Sequence, residues 1–122
     1  MLKQEKSTLA DGAYMKNQRD ISESMRAILV DWLVDVHRKF KLLPETLFLT
    51  VNIIDRFLSK RQIDRSKLQL VGITSLLIST KYEEIYPPTI KDFVYICDNT
   101  YAREEIILME QQILFDLDFD IQ

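Results

Sequence analysis

The chain has 122 residues, 47% hydrophobic and 29% charged, with formal net charge −3. This is one domain's worth of globular sequence, neither disordered nor dominated by the cationic surface that gripping nucleic acid or an anionic membrane requires. A lone Cys97 excludes an internal disulfide and suits a reducing compartment, and the sequence shows no signal-peptide pattern.

Only two glycines and three prolines interrupt the chain, with no alternating strand pattern and no Asn-Gly hairpin turn, so the expected class is all-α. Residues 1–19 are polar and weakly patterned and are expected to form a flexible arm. Asp20 and Glu23 predict a capping box opening helix 1, which runs to about Phe40. Pro44 sits where a first-turn proline belongs and opens helix 2, PETLFLTVNIIDRFLSK. Asp64 is the expected cap of helix 3, about Arg65 to Tyr82. Its uncharged run LQLVGITSLLIST is too short to cross a bilayer and reads as a helix buried by other helices. There Gly72, Ser75 and Ser79 fall on one side, where small residues allow close helix approach. Pro87-Pro88 breaks the chain, Thr89 with Asp92 starts helix 4 through about Cys97, and Thr100 is the expected cap of helix 5, about Tyr101 to Leu117. Short linkers predict one bundle in which successive helices are neighbours.

Residue chemistry argues for binding, not catalysis. One His and one Cys, without a Glu-x-x-His pair, give no expectation of a metal. No glycine-rich phosphate loop exists, and adjacent Glu83 and Glu84 point about 100° apart on a helix, so they cannot work as a carboxylate pair. Neither Cys97 nor His37 lies in a nucleophile setting. No cofactor is expected. Arg26 lies inside the apolar arc of helix 1 and needs a partner; Asp55, in the otherwise apolar NIIDRF of helix 2, is the candidate, giving a structural pin between the two helices.

Helix 1 also carries more large apolar side chains than one stripe requires. With Ala27, Val30 and Val34 turned to the core, Met25, Ile28, Leu29 and Trp32 remain as a second apolar face bordered by Asp31 and Asp35. Such a strip suits a peptide carrying one basic and one hydrophobic residue.

The segments MRAILVDWLV, NIIDRFL, KLQLVG, KYEEIYPP and FVYICDNTY, in this order and spacing, resemble the first cyclin box of a cyclin. HRKFKLLPETL followed by NIIDRFLS is most similar to the mitotic B-type members. The resemblance covers about Asp20 to Ile121 and implies a five-helix fold around a central third helix; residues 20–122 are expected to form one box, and the second box that cyclins normally carry is expected to be absent, a departure from the family. It implies a non-catalytic regulatory subunit that binds and activates a cyclin-dependent Ser/Thr kinase in G2/M control, in nucleus and cytoplasm, with neither nucleic acid nor membrane as partner. It further implies that Lys81 and Glu110 grip the kinase, that Ile78, Tyr82, Leu114 and Ile121 line a pocket for the kinase C-helix, and that Glu84 and Ile85 belong to the same face. Tyr82 stands where many cyclins have phenylalanine. Finally, the resemblance implies that Met25, Ile28, Leu29, Trp32 and Asp35, with Leu68 and Gln69 of helix 3, dock Arg-x-Leu motifs of substrates or inhibitors. Two rival readings remain: a transcription-factor-IIB-like DNA-binding module of the same fold, and an interaction domain that activates no kinase.

Overall fold

The structure, a computed structural model, describes residues 20–121. Its described residues form five α-helices and no strand: α1 (Glu23–Lys39), α2 (Pro44–Lys60), α3 (Leu68–Glu83), α4 (Ile90–Ile96) and α5 (Arg103–Asp116), with a short 3-10 turn at Arg65–Lys67 leading into α3. The expected arm at residues 1–19 lies outside the described residues.

α3 is the axis. It is buried from Leu70 through Thr80 without a break and touches each of the other helices. A helix apolar on every side has no solvent face to satisfy, so its neighbours must surround it. Its small polar residues turn inward on their own helix: Ser79 Oγ donates to the Ser75 carbonyl at 2.9 Å and Thr80 Oγ1 to the Leu77 carbonyl at 2.7 Å. The buried hydroxyls of Thr74 and Ser75 have no partner among the described residues. At the far end of α1, Phe40 meets Phe93 of α4 edge to face, with ring centroids 5.4 Å apart.

Gly72 sets the distance between α1 and α3. A Cβ there would stand 2.7 Å from Leu29 Cδ1, and Leu29 is itself buried. Gly72→Ala is therefore expected to lower stability by about 1–3 kcal/mol through overpacking, despite alanine's better helix propensity. Adding Leu29→Val should recover part of the loss in thermal melts. A melting temperature raised by Gly72→Ala alone would show that Leu29 simply moves aside.

The helix ends depart from the sequence reading at three caps. Ser22, not Asp20, caps α1, its Oγ accepting from the Met25 amide at 3.2 Å. Asp20 is taken by Arg65 instead, accepting from its amide at 2.7 Å and its Nε at 3.0 Å, contacts that hold the carboxyl below the usual range. With that contact made first by the backbone amide, the chain before α1 is tied to the entry of α3. Asp64 precedes the 3-10 turn without a side-chain capping bond, so the regular α-helix starts at Leu68. Thr100 donates to the Cys97 carbonyl at 2.6 Å, closing the α4 turn, and α5 begins later. There the Ala102 amide donates to Glu105 Oε1 at 3.0 Å, which is half of a capping box because alanine offers no acceptor. At α4 the box is complete, with the Asp92 amide donating to Thr89 Oγ1 and the Thr89 amide to Asp92 Oδ2.

The face of α1 also differs from expectation. Leu29, Leu33 and Val36 are the residues driven into the core, while Ala27 is exposed and Val30 and Val34 are half-exposed. The reason is the ion pair to α2. Arg26 Nε donates to Asp55 Oδ1 at 2.9 Å and Nη2 to Oδ2 at 2.7 Å, so the expected pin forms as a two-pronged contact. Leu29 and Leu33 follow Arg26 at i+3 and i+7, on the same side of the helix. Turning Arg26 toward α2 therefore carries those leucines inward and rolls Ala27 out.

Candidate functional site

Two surfaces follow from this frame. The first is a groove of about 350 Å³ between α1 and the start of α3, lined by Met25, Ile28, Leu29, Trp32, Arg65, Leu68 and Gln69. Every apolar residue assigned to peptide docking lies in it. Their roles divide, however: Leu29 and Leu68 form the buried floor, Met25 and Trp32 are half-buried walls, and Ile28 is 68% exposed. Leu29 thus belongs to core and groove at once, which the helical wheel alone did not separate. Asp35 is not in this groove. It lines a second depression of about 360 Å³ on the other side of Trp32, with Val36, Arg38, Lys39 and Ile96.

Arg65 went unassigned in the sequence, although it stands three residues before Leu68 and so faces the same way. Its guanidinium rims the groove while its Nε holds Asp20.

The second surface lies where α3 ends beside α5. Lys81 Nζ donates to Glu110 Oε2 at 2.7 Å, so the two charges assigned to one partner reach each other across the helices. Their exposure is unequal, the Lys81 side chain 51% and the Glu110 side chain 16%. Glu110 is therefore less open than its sequence setting implied. Tyr82 is half-exposed, Ile85 is fully open, and Leu114 is half-buried. Ile78 and Ile121 are core residues beneath this surface rather than part of it.

Glu84 faces elsewhere. It accepts from the Leu43 amide at 2.7 Å and from Thr46 Oγ1 at 2.5 Å, filling the open amide end of α2 that Leu43 has no side chain to cap. His37 Nε2 donates to the Leu43 carbonyl at 2.8 Å, so the same linker is held on both sides.

Buttresses fix the end of α5 against α2. Arg61 bridges to Asp116 at 2.6 Å, which holds that carboxyl below its ordinary range, and the Arg56 guanidinium donates to the Ile121 carbonyl at 2.9 Å and to that of Asp120. Asp118 and Phe119 both take left-handed backbone angles in this turn, and the Phe119 ring is 64% exposed.

Neither surface has the chemistry of a catalytic centre. Burial, with a smaller contribution from Asp98, pushes the Cys97 thiol up to about 11, so it is protonated and a poor nucleophile at neutral pH. Among the described residues no cluster of His, Cys, Asp or Glu could hold a metal ion, and no helix is long and apolar enough to cross a membrane.

Comparison with known proteins agrees with this geometry. Residues 1–122 match the family described as cyclin, N-terminal domain. The chain is 58% identical to Cyclin-B1-3 of Arabidopsis thaliana over 106 residues, covering 87% of this chain and 26% of that protein. It is 54% identical to the G2/mitotic-specific cyclin-B of Hydra viridissima, covering 92% and 29%, and 56% identical to the G2/mitotic-specific cyclin-A of Patella vulgata, covering 88% and 25%. The chain thus spans about a quarter of the length of the curated relatives it matches. The crystal structure of a viral cyclin from herpesvirus saimiri superposes with a TM-score of 0.83 at 29% identity, over 88% of this chain and 47% of that one.

Proposed function

The chain belongs to the cyclin family, as an N-terminal cyclin domain, and from that premise we propose that it is the kinase-binding part of a G2/mitotic regulatory subunit acting in nucleus and cytoplasm. The observation that carries the reading is the Lys81–Glu110 pair between α3 and α5, with the exposed Tyr82 next to Lys81 in the chain and the half-buried Leu114 one turn after Glu110. An apolar surface with a fixed charged pair at its edge suits the C-helix of a cyclin-dependent kinase. An active kinase needs its C-helix glutamate paired with the ATP-binding lysine. A rigid partner that binds only that C-helix position shifts the kinase population toward it by its differential affinity. The phosphoryl transfer belongs wholly to the kinase.

Rigidity is what the fold supplies. Ile78 and Ile121 support the surface from below, and Arg56 and Arg61 lock the end of α5 to α2. Titrating the chain into an inactive cyclin-dependent kinase should raise phosphorylation of a histone-type substrate in a saturable manner. Saturable binding without activation would leave an interaction domain; no binding at all would remove the reading.

The groove of α1 and α3 is proposed to dock Arg-x-Leu peptides, the leucine seated among Met25, Leu29, Trp32 and Leu68 and the arginine reaching Asp35. Because Leu29 is buried against Gly72, its removal would confuse docking with folding. Ile28→Ala with Met25→Ala is the cleaner test. The pair should weaken an Arg-x-Leu peptide about tenfold or more while kinase binding and melting temperature stay near wild type. Unchanged peptide affinity would remove the groove from the docking site.

A further inference from the structure

The depression beyond Trp32 has a chemistry of its own. Its rim carries Asp35, Arg38 and Lys39, over a floor of Val36 and Ile96. None of the three charged side chains has an ion-pair partner among the described residues. Cations in the last turn of a helix ordinarily offset its dipole, and position alone would give Arg38 and Lys39 no other role. Two observations go further. At 100° per residue, Met25, Ile28, Trp32, Asp35 and Lys39 fall on a single stripe of α1, so Lys39 continues the groove face rather than the solvent face. And Trp32 lines both cavities, which makes the depression an extension of the groove.

We infer that this extension selects peptides with an acidic side chain two positions before the docked arginine. The inference rests on the docking reading above. With the peptide leucine between Met25 and Trp32 and its arginine at Asp35, the peptide runs antiparallel to α1, and residues preceding the arginine pass over Arg38 and Lys39. Asp35 and Lys39 are one turn apart, about 6 Å along the axis, which an extended peptide at about 3.3 Å per residue covers in two residues. Once the peptide arginine occupies Asp35, the charges left on this rim among the described residues are the two cations. A carboxylate two positions upstream of the arginine then meets unpaired positive charge, and a lysine there meets repulsion.

Synthetic Arg-x-Leu peptides carrying Glu, Ala or Lys two positions before the arginine test this by fluorescence anisotropy with the whole chain. Affinity should fall in the order Glu, Ala, Lys, with about a three- to tenfold span at low salt that shrinks as salt is added. Lys39→Gln should narrow the span, and Lys39→Glu with Arg38→Gln should reverse the order of the Glu and Lys peptides, each taken relative to the Ala peptide on the same variant. If the Ala peptide binds the wild-type chain but the Glu and Lys peptides match it, the inference falls and docking stands. If no peptide binds, the docking reading falls and takes the inference with it.

Discussion

Arg26→Ala is expected to destabilise the bundle by about 3–5 kcal/mol, more than the reciprocal change Asp55→Ala. The asymmetry comes from burial. The Asp55 side chain is 8% exposed and the Arg26 side chain 30%, so removing the arginine leaves the more deeply buried of the two charges behind. Without the guanidinium, a carboxylate remains in the α1–α2 interface with both of its Arg26 donors gone. Without the carboxylate, the arginine can turn its head to water while its methylenes keep covering the core. A loss of about 1–3 kcal/mol is then expected for Asp55→Ala, the range for hydrogen bonds to charged groups. At about 4 °C per kcal/mol for a domain of this size, the two variants separate readily in thermal melts. The double change should be less than additive, because the second substitution removes the buried charge that the first left behind. Equal losses, or an additive double variant, would mean that other neighbours of Asp55 carry its burial.

The same pair explains which parts of the fold were legible beforehand. Helix existence and order follow from Pro44, from the uncharged run of α3 and from the Thr89–Asp92 box, all local signals with one physical meaning. The facing of α1 was also legible, but from Arg26 rather than from the count of apolar residues. A pin to α2 through Arg26 and a core made of Ala27 and Val34 are incompatible on one helix, since those two residues lie about 80–100° around from Arg26. Leu29 and Leu33 lie close to its side and are the ones buried. The caps at Asp20 and Thr100 failed for a different reason. Each side chain found a competing partner: Asp20 bonds a residue 45 positions away, and Thr100 bonds back to Cys97. No local window contains the first of these. Glu84 shows the same limit, for its bond to Leu43 joins the end of α3 to the start of α2 across 41 positions. The apolar residues of the α1–α3 groove could be grouped beforehand because α1 periodicity and the family resemblance both single them out, while the charge of Lys39 concealed its place on the same stripe.

Lys81→Ala with Glu110→Ala is expected to weaken the proposed kinase complex by about 2–5 kcal/mol, which is roughly thirtyfold or more in affinity. In the free chain the two side chains hold each other at 2.7 Å, so part of the ordering that binding demands is already done. The pair spans α3 and α5 with Lys81 half in solvent, and such a contact contributes only about 0–1 kcal/mol to folding. Stability and binding should therefore separate: the double variant melts within a few degrees of wild type yet loses the kinase. Single changes should be informative as well. Lys81→Ala leaves Glu110, 16% exposed, without its cation, so a kinase surface that buries it further meets an unpaired carboxylate. Glu110→Ala leaves a lysine on a flexible stem that can swing to solvent or to a carbonyl of the partner. Lys81→Ala is accordingly expected to weaken binding more than Glu110→Ala, and the double change less than their sum. Titration calorimetry with one kinase preparation, alongside thermal melts of all three variants, measures both quantities. A folded double variant that binds kinase at wild-type strength would move the interface away from the α3–α5 surface.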